Sequence, residues 1–521
     1  MKRVFALLIV LGATLRAFAA TTNDFGADIF ATNAPVLRLK IEIPTAGIRS
    51  LERDARKDVL AIVREGNTVY SNVTVHLKGA AGSFRGIHDG PSLTLHFGHT
   101  NSDQRFHGLR KIHLNNSVQD RSFTTYRITS DMFNEAGVPA ARVTHARFTL
   151  NGRDMGFYVL VEGFTKDFLK YHFKDGKGNF YDGGFCKEIT ENLEKESGDD
   201  RKDNPDLMAL AATANIPDRG VRWATLQKKL DVDRFLSYMA LETLTTDWDG
   251  YMAKANNYRV YHDPTTDKIV FIPHGMDQMF ERTGESIYHP QFGGLVARAL
   301  MDTPEGARLF HERVKEVFAK NFRLETITNR YDFLVKRNRE AVAELGRGAL
   351  AEFDANTRGV RNRIVSRWNS VAEQIENEPK PLDFSKPVHI TRWRQQIFGG
   401  NAEMEEVQAD GKAALRIAAN GRVSASWRSA VSLEQGTYRF EALAKCSKIS
   451  AVQGERGEGA GLRISGSERH NKMVGDMPWT RLQFDFTVNE PSREVQLVCE
   501  SIASRGEVVF DKTSLKLIKL K

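Results

Sequence analysis

Between residue 36 and about residue 161, apolar residues fall at alternate positions in short runs, the spacing of strands with one buried face. Segments 36–43, 68–77, 92–97 and 111–114 alternate or carry β-branched residues. Residues 121–135 break that rhythm: Phe123, Tyr126, Ile128 and Phe133 recur at helical spacing, Asp120 can cap the start, and Gly137 with Pro139 ends it. Strands return at 143–150 and 156–161 around Asn151-Gly152, a dipeptide suited to a tight hairpin turn. From residue 232 the helical period dominates, first over 232–244 and then in a long set from 305 to 376. A hairpin lies between these blocks, 258–261 and 269–272, turning at Asp263-Pro264. A strand-rich front and a helix-rich back predict a two-lobed α+β body.

The pattern changes once more after residue 376. Asn377-Glu378-Pro379-Lys380-Pro381, followed by Pro387, reads as a linker over 377–387. Beyond it, 388–521 switches to short strands separated by turns, at 413–417, 423–427, 437–444, 462–464, 482–486, 495–498, 508–510 and 515–518. That spacing predicts an antiparallel β-sandwich of jelly-roll type. It loosely resembles the carbohydrate-binding jelly rolls often appended to secreted enzymes. Trp393, Trp427 and Trp479 offer ring faces of the kind that stack on sugars, although Trp427 alternates like a core strand residue.

The first twenty residues have the form of a cleavable secretory signal. Lys2 and Arg3 are followed by an apolar run over 4–15 and by Ala17-Phe18-Ala19, which places cleavage after Ala19 or Ala20. That run is short and interrupted, and no other stretch approaches 18 consecutive apolar residues, so no stable membrane span is expected once the signal is removed. The expected location is secreted or extracytoplasmic, in a periplasm or at a cell surface. Loss of Lys2, Arg3 and Arg16 lowers the formal charge from +8 to about +5, dispersed over many acidic and basic residues, which gives little reason to expect a nucleic-acid partner. Three cysteines in 521 residues make no disulfide scaffold; Cys446 and Cys499 either pair or stay buried as thiols. No C-x-x-C or H-E-x-x-H spacing occurs, against a structural zinc or a zincin.

The chemistry concentrates around the central hairpin. Asp247 and Asp249 precede it, Asn256-Asn257 opens it, and Pro273-His274-Gly275-Met276-Asp277-Gln278-Met279-Phe280 closes it. Folding about the turn brings Asn257 roughly opposite Pro273, so an Asp, an Asn and a second Asp converge at the open end. That grouping suits phosphoryl transfer, in which one Asp aligns or deprotonates a hydroxyl while Asn and Asp hold Mg²⁺ against nucleotide phosphates. Protein kinases show the same order, and Asp or Asn at hairpin ends also serves simply as a turn former.

Taken together, several motifs resemble the spore-coat protein H (CotH) kinase-like family. They are Val75-His76-Leu77-Lys78-Gly79, Phe106-His107-Gly108-Leu109, Asn115-Asn116, Asp120, Gly137-Val138-Pro139, Asn151-Gly152, the strand from Gly156 to Glu162, Asn257-Tyr258, and the segment from Pro273 to Phe280. The resemblance covers roughly residues 36–375. It implies a divergent protein-kinase fold over residues 21–376 that phosphorylates protein Ser or Thr with ATP and Mg²⁺ or Mn²⁺. By matching position, Asp249 resembles the catalytic Asp, and Asn257 and Asp277 the metal ligands. Gly79, Gly82 and Ser83 fall in a loop whose small residues let amides approach phosphates. Glu162 is the candidate for an adenine contact or, equally, for a structural ion pair.

Two departures stand out. Gly90-Pro91 occupies the place where the family usually carries a phosphate-gripping Lys, leaving Lys78 or Lys111 as replacements, and Gly275 stands where the family commonly has an Asp. ATP is also scarce outside the cytoplasm. The leading expectation is therefore an exported CotH-like kinase acting on a protein substrate, its sandwich a candidate glycan binder. The alternative is a pseudokinase with a binding or structural role in an envelope or matrix. A glycoside hydrolase would rest on paired carboxylates alone.

Overall fold

The computed structural model describes residues 24–80, 82–378, 382–452 and 458–521; the expected signal segment lies outside them, as do Ala81 and the Pro379-Lys380-Pro381 part of the linker. The fold mixes α and β structure. The chain divides into two compact units: Met1–Ala211, Gln227–Thr283 and Glu316–Trp368 form one, and Ala212–Leu226, Gly284–Lys315 and Asn369–Lys521 the other.

The first unit opens with a closed barrel of β1 (Leu37–Glu42), β2 (Val59–Glu65), β3 (Thr68–Lys78), β4 (Ser92–His96), β5 (Lys111–Asn115), β6 (Val143–Leu150) and β7 (Arg153–Glu162), in the order β1-β2-β3-β4-β5-β7-β6. Parallel pairing of β1 with β6, Leu37 to Ala146 through Ile41 to Leu150, closes it. Alternation explains the barrel: Leu39, Ile41, Val63, Val75, Leu77, Leu95, Ile112, Leu114 and Leu160 point inward and are buried, each such side chain stabilising the fold by about 1.5–3 kcal/mol. Register sorts polar residues onto different ends. Lys78 pairs with Ser92, and Leu93 with Leu114, at one rim; His96 pairs with Lys111, and Ile112 with Glu162, toward the other.

Helix α1 (Thr125–Glu135) begins four residues later than its apolar spacing predicts. The cause is Asp120, whose carboxylate accepts the backbone N–H groups of Ser122, Thr124 and Thr125 at 2.9–3.0 Å and holds 121–124 in a turn. Phe123 takes a left-handed φ of 58° inside that turn. Helix α2 (Lys166–His172) follows the barrel, capped by the Thr165 side chain.

A second, four-stranded sheet has the order β11-β10-β8-β9, built from β8 (Phe180–Asp182), β9 (Glu194–Ser197), β10 (Tyr258–Asp263) and β11 (Lys268–Pro273). Tyr258 pairs with Pro273, so Asn257 lies one step beyond the ladder and its carbonyl accepts His274 N–H at 3.0 Å. Helix α3 (Val232–Thr245) packs against β11, and the short α4 (Tyr251–Lys254) lies between α3 and β10. Three long helices follow: α5 (Pro304–Asn321), α6 (Leu324–Ala343) and α7 (Arg347–Glu376). Arg367 of α7 is fully buried and donates to the carbonyls of Thr243, Leu244 and Thr283 at 2.8–3.1 Å, satisfying carbonyls at the end of α3.

In the second unit, β12 (Val388–His389), β13 (Arg394–Gly399), β14 (Ala402–Ala409), β15 (Lys412–Ala451), β16 (Gly459–Ile464), β17 (Gly475–Asp511) and β18 (Lys516–Lys519) form an antiparallel assembly. The stretches expected as separate strands merge into the long, bulged β15 and β17, which pair with each other from Ala414–Asp511 to Ala451–Ala503. Trp427, Tyr438, Phe440, Leu462, Leu497 and Phe510 fill the core. Cys446 and Cys499 are both buried there as free thiols.

Candidate active site

Asp249 sits in the loop between α3 and α4. Its carboxylate accepts the side-chain amides of Asn256 and Asn257, each at 3.1 Å, and the Asn257 amide also reaches the Asp249 carbonyl at 3.3 Å. Those donations fix the Asn257 amide and leave its Oδ1 free to accept. The loop is held from beneath by Glu242 of α3, whose two carboxylate oxygens accept Tyr251 N–H (2.9 Å) and Met252 N–H (2.8 Å) at the start of α4. Asp247 is buried, and its Oδ1 accepts Asp249 N–H at 3.3 Å, a turn-capping position. Burial pushes the Asp247 carboxyl up to about 7, with the charges of Asp249 and Asp277 adding to the effect. Burial and Asp247 likewise hold the Glu242 carboxyl well above its ordinary range.

Gly275 makes this arrangement fit. Its φ is +68°, and a Cβ there would lie 2.7 Å from Asn257 Oδ1. The glycine standing where the family commonly has an Asp thus has the Asn257 amide packed against it. Two residues on, Asp277 is half-buried; burial and the neighbouring Asp120 raise its carboxyl to about 7, with a smaller contribution from Asp249. Thr125 Oγ1 lies 2.8 Å from Asp120 Oδ2 and 3.0 Å from the Asp277 carbonyl, tying the start of α1 to this segment.

Lys78, at the end of β3, faces Asp277. Its ammonium donates to Asn115 Oδ1 at 2.9 Å. Burial and the Arg259 charge lower it to about 8, while Asp277 and Asp182 act to keep it protonated. Lys111 lies three residues from Leu114 along β5, about 10 Å from this rim at strand spacing. Of the two lysines, Lys78 is therefore the one beside Asp277. Glu162 is buried and bidentate with Arg142, at 2.7 and 2.9 Å, which is the structural ion pair of its two readings.

The loop carrying Gly79, Gly82 and Ser83 is tied to the site's edge. Asn116 Nδ2 donates to the Ser83 carbonyl at 3.3 Å, and Gln119 Nε2 to Gln278 Oε1 at 3.2 Å, beside Asp277. Gly79 has φ +108° with the Phe84 backbone 3.1 Å from where a Cβ would sit. The loop spends amides on itself: Ser83 N and Phe84 N donate to the Ala80 carbonyl, and Ala80 N to Ser83 Oγ. Sequence pattern left out Glu242, Thr125 and Arg259. The one available signal was charge inside apolar runs, as Glu242 in Leu241-Glu242-Thr243-Leu244 and Arg259 in Tyr258-Arg259-Val260-Tyr261. Arg259 is held by Asp182 (2.7 Å) and Glu196 (2.8 Å).

In the sandwich, Trp427 belongs to the core, its Nε1 donating to the Arg416 carbonyl at 3.0 Å. Trp393 and Trp479 are half-buried and donate to the Ile390 carbonyl and to Asp410, both at 2.9 Å. Phe398 is exposed, 58% accessible on the edge strand β13, with the Arg428 guanidinium 4.7 Å above its ring.

The chain belongs to the CotH kinase protein family, whose family model matches residues 78–378. Among curated relatives, the invasin CotH3 of Rhizopus delemar is 24% identical over 261 residues, 46% of this chain and 42% of that protein. The inner spore coat protein H of Bacillus subtilis is 24% identical over 243 residues, 42% of this chain and 65% of that protein. The chain thus spans less than two thirds of either relative's length. Among solved structures, the Helicobacter pylori proinflammatory kinase CtkA matches 57% of this chain and 97% of its own at 9% identity and a TM-score of 0.26. The carbohydrate-binding module TmCBM61, solved with β-1,4-galactotriose, matches 25% of this chain and 90% of its own at 14% identity and a TM-score of 0.19. No helix among the described residues is long and apolar enough to cross a membrane.

Proposed function

We propose that the CotH region is a divergent two-lobed kinase that binds ATP with Mg²⁺ or Mn²⁺ and transfers the γ-phosphoryl group to a Ser or Thr hydroxyl of a protein. One observation carries the reading: Asp249 and Asp277 help raise the Asp247 carboxyl, Asp120 and Asp249 help raise that of Asp277, and the ammonium groups facing this cluster are Lys78 beside Asp277 and Lys254, 4.0 Å from Asp249. Four carboxyl groups against two ammonium groups suit a divalent cation. Asn257 Oδ1 and the Asp277 carboxylate are oxygen donors of the kind such a cation takes. Among the described residues no group of three or more His, Cys, Asp or Glu forms a metal cage. Mg²⁺ ordinarily uses one or two carboxylates and leaves its other positions to phosphates and water.

When bound, the cation would neutralise charge on the β- and γ-phosphates. Asn256 and Asn257 hold the Asp249 carboxylate so that a free lone pair can accept the hydrogen bond of an incoming hydroxyl, align it and take its proton. Lys78, mostly protonated at pH 7, offers positive charge from the β3 side. The leader supports an exported or extracytoplasmic location, and the Phe398–Arg428 pair supports a glycan role for the sandwich.

A second reading, the pseudokinase acting as an envelope or extracellular binding protein, is favoured by Gly90-Pro91 at the expected lysine and by loop amides already bonded within the loop. Thermal unfolding with and without ATP and Mn²⁺ separates the two. A nucleotide-dependent rise in Tm lost in Asp277→Asn supports the kinase reading. No shift in the wild-type chain sinks it.

A further inference from the structure

Four lysines that the proposed chemistry does not use surround a hollow of about 570 Å³ on the first unit. Lys166 and Lys170 lie one turn apart on α2, and Lys174 and Lys177 follow in the next loop. All four are exposed, and their ammonium groups have no hydrogen-bond or ion-pair partner among the described residues. Asp175 is the one carboxylate in the lining, and its Oδ1 already accepts Lys177 N–H at 3.0 Å. Like charges at i and i+4 oppose helix formation. The Lys166–Lys170 pair therefore works against the helix that carries it, and a bound anion would reverse the sign of that effect.

The rest of the wall narrows the partner. Two glycines and Ser197 complete it, and the Ser197 hydroxyl is buried without a partner. No aromatic ring lines the hollow, so it offers neither the stacking platform single-stranded nucleic acid uses nor a ring face for sugar. Lysines are point charges on flexible stems and suit carboxylates spaced along a peptide. The hollow adjoins the turn end of β10, where His262 N–H donates to the Asn179 carbonyl. Asn257 precedes the other end, five residues away, or about 16 Å at strand rise.

We propose that this hollow docks an acidic peptide segment of a protein substrate, about five extended residues from the acceptor hydroxyl. The substrate role rests on the phosphoryl-transfer reading; the binding of an acidic peptide does not.

The test is fluorescence anisotropy with a fluorescein-labelled octapeptide of Asp and Glu against the full chain and its Lys170→Glu/Lys174→Glu variant. The ATP and Mn²⁺ thermal shift is recorded for both proteins. The expected result is peptide binding weakened at least tenfold in the variant, with the nucleotide shift kept. Equal peptide binding by both proteins, or no binding by the wild type, overturns the proposal, as does a 12-nucleotide single strand that displaces the peptide at equal charge concentration. Peptide binding without any nucleotide shift leaves the acidic-peptide site standing and removes the kinase reading instead.

Discussion

Replacing Asp277 by Asn tests whether the site stores unfavourable charge. In the folded chain this carboxyl is raised to about 7, whereas an unfolded Asp ionises near 4. Below pH 4 both states are protonated and nothing is lost. Between pH 4 and 7 the unfolded state gives up its proton while the folded state keeps it, so stability falls, and the deficit is complete above pH 7. A shift of about three units corresponds to at most about 4 kcal/mol, and partial exposure of the side chain reduces that to about 1–3 kcal/mol. Urea unfolding in the presence of a chelator is the assay. Asp277→Asn should match the wild type within about 0.5 kcal/mol at pH 4 and exceed it by about 1–3 kcal/mol at pH 8. Adding Mn²⁺ and ATP at pH 8 should then stabilise the wild type and leave the variant unmoved. A variant less stable than wild type at pH 8, or a difference that ignores pH, would refute the reasoning.

Gly275→Asp, which restores the family's commoner residue, should lower stability by at least about 1–2 kcal/mol, the cost of a left-handed conformer in an L-residue, and should displace the Asn257 amide. Mn²⁺ titration should show weaker binding, and a gain in affinity would contradict that. Glu242→Ala removes two hydrogen bonds from a buried carboxylate and should cost about 2–4 kcal/mol in thermal unfolding, with faster amide exchange at Tyr251 and Met252; a loss below about 1 kcal/mol would mean that the loop is held by other contacts. In the sandwich, Trp427→Ala should cost about 3–5 kcal/mol and Trp479→Ala under about 1 kcal/mol, an order that differential melts can reverse if the core assignment is wrong.

Alternation in 68–78 and 143–150 was readable because one face of each strand is buried. β2 was not read from the pattern, since Leu60, 49% exposed, puts an apolar residue on the outer face and blurs the period. The start of α1 was misplaced by four residues because Phe123 continues the helical spacing into a turn that Asp120 imposes through hydrogen bonds. The hairpin register was off by one, a small error because the turn at Asp263-Pro264 fixes the rest. Within the site, residues carrying a recognisable order, Asp249, Asn257 and Asp277, could be named from sequence. Their supports could not: Arg367 is one of five Arg in an amphipathic helix, and only the fold buries it under three carbonyls. Lys78 and Lys111 were indistinguishable until the barrel register put them on different rims. That Trp393 and Trp479 are half-buried while Phe398 is exposed follows from packing, which the sequence pattern does not show.

The most direct measurement of the central claim is transfer of label from γ-labelled ATP, with Mg²⁺ or Mn²⁺, by purified residues 21–521, alongside Asp249→Asn. The account predicts label on Ser or Thr of the chain itself or of an added acidic protein, abolished by the substitution while the fold is retained. Absence of label with any acceptor, together with no nucleotide-induced stabilisation, or equal labelling by the Asp249→Asn protein, would contradict it.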